Sequence, residues 1–271
     1  MKNIAILLLI CSAFSAQSQS RDKRDVGSFT KVSMGIPGNL YLKQGDKNSV
    51  ELEGNSEILG KIETVVEHGK LIIRQEVMRW NSWKSWNDFD DVNVYVTLKD
   101  FEGATVSGSG KLIGKSGLQG SNVSLRVSGS GSMEIELSAQ DVDLNVSGSG
   151  RLNLKGKVSN LESDISGSGR IDFEGSTENL VDITISGSGS MNATGDCKEV
   201  RTNISGSGRV LAENLTTDNC DVRISGSGSV RINVKTKLDA EITGSGSVTY
   251  NGNPSQVNSH TTGSGSVRKA N

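Results

Sequence analysis

Apolar residues along most of this chain fall at alternate positions in short runs, and the runs return at a fixed interval. Each run leads into a small-residue tetrad, SGSG or TGSG, beginning at Ser107, Ser128, Ser147, Ser166, Ser186, Ser205, Ser225, Thr243 and Thr262. The interval stays close to 19 or 20 residues. The position before the tetrad is Val106, Val127 and Val146, then Ile165, Ile185, Ile204, Ile224 and Ile242, and finally Thr261. Three positions before it stand Leu125, Leu144, Ser163, Ile183, Thr202, Val222 and Ala240; five before, Val123, Val142, Leu161, Val181, Val200, Cys220 and Leu238. This is period two, the mark of a β-strand with one buried face. Alternation resumes after the tetrad, as in Met133, Ile135 and Leu137 or Val230, Ile232 and Val234. The pattern predicts two short strands per unit, bent at the tetrad, with a polar turn at the far corner, as in residues 138–141, 156–160, 175–179 and 195–199.

Repetition at this period predicts a solenoid, with equivalent strands of successive units stacked in parallel about 4.8 Å apart around a narrow core. The fold class is therefore all-β, a parallel β-helix of 19–20 residues per rung. No window shows helical spacing of apolar residues, and Gly is too frequent for helix. A sharp bend needs residues that accept unusual dihedrals, so Gly108, Gly129, Gly148, Gly167, Gly187, Gly206 and Gly226 read as structural turn residues. Residues 29–105 lack the tetrad but keep the alternation, in Val32, Met34 and Ile36, Leu40 and Leu42, Val50 and Leu52, Leu71 and Ile73, and Val92, Val94 and Val96. They read as irregular first rungs and a cap, since an open solenoid end exposes core and strand edges. The expected organisation is a signal peptide over 1–18, a short polar linker over 19–28, and one domain over 29–268, its regular ladder running over 106–268.

The strand-rich opening at 29–42, the segment 68–73 and the following ladder of V/I-S-G-S-G units resemble the bacterial head GIN domain, a family of auto-transporter adhesin heads. The resemblance covers roughly residues 29–268. It implies a right-handed parallel β-helix in an exported protein. The chain departs from a full auto-transporter, because nothing after Gly265 could form a membrane barrel.

Composition alters this picture little. A formal net charge of -2 with no basic block gives no sign of nucleic acid or an anionic membrane as partner. Lys2, the apolar stretch from Ile4 to Ile10 and the small residues Ala13, Ser15, Ala16 and Ser18 have the order of a secretory signal. Cys11 follows Ile10 rather than a small residue, which disfavours a lipid anchor, and no later stretch reaches the length of a transmembrane segment. The expected location is exported: periplasm, outer cell surface or medium. Of the remaining cysteines, Cys220 stands in a core column and reads as a buried free thiol, whereas Cys197 falls in a turn; a disulfide between them stays open.

The search for chemistry yields no catalytic constellation and no cofactor. His68 and His260 lie in unrelated rungs, and nine equivalent serines without a base argue for structure. Two features stand out. The first is a column four residues before the tetrad, Asp143, Glu162, Asp182, Arg201, Asp221 and Asp239, which reads as a solvated acidic face. Asp143, Glu162 and Asp182 are its weak candidates for a calcium site. The second is the segment 77–91, which holds Trp80, Trp83 and Trp86 with Phe89. It reads either as a ligand-contact site, for a surface glycan or envelope protein, or as a plug over the end of the solenoid. The resulting expectation is a non-enzymatic binding or adhesion module of the cell envelope. The alternatives are a structural envelope spacer and, less favoured for want of a convergent acidic cluster with Arg or Lys, a polysaccharide-acting β-helix enzyme.

Overall fold

The computed structural model describes residues 20–76, 89–115 and 117–270. About three quarters of the chain is strand, wound into a β-solenoid of about nine turns. The regular part starts with β8 (Gly103–Gly108), β9 (Lys111–Gly114), β10 (Leu118–Gln119) and β11 (Asn122–Gly129). It continues through β12 (Ser132–Gly148), β13 (Arg151–Gly167), β14 (Arg170–Gly187), β15 (Ser190–Gly206), β16 (Arg209–Gly226) and β17 (Ser229–Gly244), each a full turn, to β18 (Ser247–Asn251), β19 (Gln256–Gly263) and β20 (Ser266–Lys269). The paired strands in this series are parallel and in register around the tetrads, with irregularities confined to the far side of the turn, as between Val158 and Asn160 and between Ser176 and Leu180, so Val127 faces Val146, Val146 faces Ile165 and Ile165 faces Ile185. Residues that read as equivalent columns are hydrogen-bonded neighbours.

From β13 to β16 each turn buries three runs, not two. In β13, Leu152 and Leu154 point inward after the tetrad, Val158 after the next corner, and Leu161, Ser163 and Ile165 before the following tetrad. The far corner expected as a plain polar turn thus contains an inward-facing stretch of its own, holding Val158, Thr177, Cys197 and Thr217 in successive turns. In β13 to β15 this run holds a single inward residue between turn formers, which gives no period-two signal; only in β16 does it hold two, Leu215 and Thr217. Cys197 is accordingly buried at 8% exposure rather than lying in an exposed turn, and both it and Cys220 are free. Burial pushes the Cys197 thiol up to about 11 and raises Cys220 as well. A fully buried Leu or Ile contributes roughly 1.5–3 kcal/mol, and the ladder repeats that contribution several times per turn.

The N-terminal region is built differently. β2 (Lys31–Met34) and β3 (Asn39–Gln44) form a turn stacked directly on β8 and β9. The later strands β6 (Lys70–Gln75) and β7 (Asn93–Leu98) stack on the opposite side of β2 and β3. The turn made later in the chain is therefore the outer one. Beyond it the pairing becomes antiparallel: β4 (Ser49–Gly54) on β7, β1 (Ser20–Arg24) on β4, and β5 (Ile62–Glu67) on β6. The residues expected as a linker over 19–28 include β1, a strand whose polar side chains conceal its backbone pairing. Arg21 lies beside Glu51 and Glu53, and Arg24 Nη2 donates to the Leu59 carbonyl at 2.8 Å. One helical turn, α1 (Ser56–Leu59), departs from the expectation of no helix. It is capped by Asn55, whose side chain accepts from the Glu57 amide at 2.9 Å, and it buries Ile58 and Leu59. Among the described residues no helix is long and apolar enough to cross a membrane.

Candidate functional site

The tetrads form one continuous corner of the solenoid. The first glycine of each lies at positive φ, from 87° at Gly108 to 124° at Gly226, with Gly129, Gly148, Gly167, Gly187 and Gly206 between. That region costs an L-side chain strain and costs glycine none. The second glycine faces inward: a Cβ on Gly131 would stand 2.7 Å from both the Gly110 carbonyl and the Val106 Cγ1 of the turn before. The corner also carries its own ladder, with the Ser130 amide donating to the Gly108 carbonyl and the Ser149 amide to the Gly129 carbonyl, both at 2.9 Å. The first serine of each tetrad is aligned with the next, and His260 lies outside this column, paired with Glu241 while Thr262 continues the column. The geometry is that of a backbone joint.

The acidic column is aligned as its spacing demands, Asp143 against Glu162 and Glu162 against Asp182. Asp143 accepts from Asn145 at 2.8 Å and from Ser124 at 3.3 Å, while among the described residues no cation is paired with Glu162 or Asp182. Partial burial, then Asp164, Asp143 and Asp182, hold the Glu162 carboxyl above its ordinary value; burial, Asp143 and Asp182 do the same to Asp164. Further along, the same face is neutralised by Arg201 on Glu199 and Arg223 on Asp221. Among the described residues no group of three or more His, Cys, Asp or Glu is arranged to hold a metal ion.

Two features of the surface carry no signal in the repeat. A groove of about 850 Å³ opens beside this column, where the 100–102 segment meets the start of the ladder, and Lys31, Asp100, Glu102, Asp141, Asp143 and Glu162 contribute to its lining. Lys31 and Glu102 of this lining form an ion pair at 3.5 Å. On another face Tyr41 and Tyr95 stack with ring centres 5.2 Å apart, and Lys115 Nζ lies 4.3 Å from the centre of the Tyr41 ring. The matching runs Leu40-Tyr41-Leu42 and Val94-Tyr95-Val96 were the sequence signal for that pair.

Comparison with known families places residues 28–194 and 176–254 in the family described as "Putative auto-transporter adhesin, head GIN domain". The chain belongs to this family. Solved structures share the fold over nearly the whole length. A "putative adhesin" from Parabacteroides distasonis is 21% identical with a TM-score of 0.69, and a "Putative lipid binding protein" from the same organism is 20% identical with a TM-score of 0.67. A "putative adhesin" from Parabacteroides merdae is 17% identical with a TM-score of 0.65. Each comparison covers 94% of this chain and 98% of the other. Comparison with curated proteins finds no match.

Within this head GIN solenoid, Trp80, Trp83 and Trp86 lie outside the described residues. The chain on either side of them is described. Before them, the Glu76 amide donates to the Lys61 carbonyl at 2.8 Å. After them, Phe89 is 3% exposed, and its carbonyl accepts from the Val92 amide at 3.0 Å. Phe89, taken with the tryptophans as a ligand-contact candidate, is a core residue and offers no ring to solvent. The segment between β6 and β7 thus springs from the outermost parallel turn of the solenoid.

Proposed function

We propose that this chain is a non-enzymatic, exported binding or adhesion module of the cell envelope. Its solenoid serves as a rigid rod, and Trp80, Trp83 and Trp86 make the ligand contact at the N-terminal end. The observation that carries this reading is the rooting of the tryptophan segment: the Glu76–Lys61 hydrogen bond fixes one side and buried Phe89 the other. All three Trp of the chain fall in the sequence between these two anchors. Indole rings combine large apolar area with few rotatable bonds, which suits them to sugar faces or to a protein partner. The adhesin description of the family and of its structural neighbours supports binding as the role. Export rests on the order of residues 1–18, and the partner class is a surface glycan or an envelope protein.

The test is a binding screen against glycans and envelope components using the exported protein and its Trp80→Ala/Trp83→Ala/Trp86→Ala variant. Loss of binding with an unchanged melting transition is expected. A collapse of the transition would instead make the three rings a plug over the end of the core.

A further inference from the structure

The two ends of the rod are finished in opposite ways. At the N-terminal end the outer strands β1 and β5 are antiparallel additions and carry charge: Arg21, Asp22, Lys23 and Arg24 in one, Glu63 and Glu67 in the other. At the C-terminal end β19 pairs with β17 alone among the described residues, and all eight of its residues are exposed. None of them is Asp, Glu, Lys or Arg. The columns it continues are charged one turn earlier, where Lys237, Asp239 and Glu241 face Gln256, Asn258 and His260. Charged residues on an edge strand are a common guard against pairing with another edge, and here the guard is dropped at the strand that needs it. The charges of the last turn, Arg268 and Lys269, sit on β20 instead. Val257, 40% exposed, stands over fully buried Leu238, so the top of the core is uncovered at this strand.

We propose that β19 is a homodimer interface, in which two copies of the chain pair their β19 strands antiparallel across a twofold axis. A twofold contact uses the same patch twice and reverses strand direction, so antiparallel pairing follows. A register centred on Ser259 sets Val257 of each copy against Thr261 of the other, on the face that continues the Leu238–Ile242 core column, and Asn258 against His260. No like charges meet, and two uncovered core ends close on each other. The second copy is favoured over an open stack because, among the described residues, the N-terminal end is finished by charged antiparallel strands and offers no parallel turn on which β19 could continue. The contact therefore closes at two copies. This reading stands independently of the tryptophan segment. Together the two would place a contact end at each extremity of the dimer, a bivalent arrangement.

Sedimentation equilibrium of the protein purified as cells export it, from about 1 to about 100 µM, tests the proposal. A reversible monomer–dimer equilibrium is expected. Ser259→Lys places two ammonium groups opposite each other at the axis and shifts that equilibrium several-fold toward monomer. Thr184→Lys, the same charge change at an exposed position of the fully paired strand β14, leaves it in place. Both positions are exposed, so both variants keep the parent melting transition. A chain that stays monomeric throughout, a dimer indifferent to Ser259→Lys, or growth beyond two copies overturns the proposal.

Discussion

The regular ladder and the N-terminal region bury the same kinds of residue by opposite routes. In the ladder each turn rests on the turn made just before it, as the Ser124–Asp143 hydrogen bond across 19 positions illustrates. In the N-terminal region the partners are distant: Asn39 bonds Asn93 across 54 positions and Thr30 bonds Glu102 across 72. The ladder is thus assembled from near-identical nearest-neighbour interfaces, while the N-terminal region closes as one interlocked unit. Where interfaces are interchangeable, stability is approximately a sum over turns; where they interlock, it is not.

Excision separates the two cases most sharply. Removing residues 151–169 joins Gly150 to Arg170, restores a Gly-Arg junction in phase and leaves every other interface of its kind. The shortened chain is expected to fold with one cooperative melting transition. Removing residues 70–98 takes away β6 and β7 and with them the partner of β5 and the inner partner of β4; circular dichroism is expected to show no cooperative transition in the N-terminal part. Equal behaviour of the two deletions would break the comparison. A glycine pair measures it at finer scale. Gly131→Ala in the ladder forces a methyl against the Gly110 carbonyl and Val106 and is expected to cost about 3 kcal/mol in denaturant unfolding. Gly27→Ala in the N-terminal region meets nothing within 4 Å and is expected to stay within about 0.5 kcal/mol of the parent.

The smallest effect is electrostatic. N-terminal carboxylates are paired, Glu51 and Glu53 with Arg21, Glu63 and Glu67 with Arg74, whereas Glu162 sits among other acids. A carboxyl raised on folding binds protons more tightly in the folded state, so its ionisation subtracts stability as pH rises through the carboxylate range. Below that range, with both states protonated, the penalty is gone. Glu162→Gln is therefore expected to raise stability by a few tenths of a kcal/mol at neutral pH, the group being exposed, and by nothing at about pH 3. A gain that persists at low pH would assign the effect to packing.

How much of this was legible follows from the same contrast. Repetition aligned Val127, Val146 and Ile165 and brought Asp143, Glu162 and Asp182 into one column, because a mistake of one residue would turn the core face outward. The run holding Val158, Thr177 and Cys197 was not legible, since one inward residue per turn shows no alternation. Nor was the placing of β6 and β7 outside β2 and β3, which depends on pairings far apart in sequence. β1 escaped because its pairing uses the backbone and its side chains are almost all charged. The groove beside Glu162 escaped for a related reason: Asp100 and Glu102 reach it from outside the repeat.

The in-register stacking has one further consequence, for evolvability. The outward column that holds Asp143 passes through an acid, a base and an amide, reaching Arg201 and Asn258 without any change of register. Inward positions hold the fold, and outward positions are free of that duty. Such a surface can be rewritten side chain by side chain, so relatives can diverge in what they present to their surroundings while the scaffold beneath stays the same.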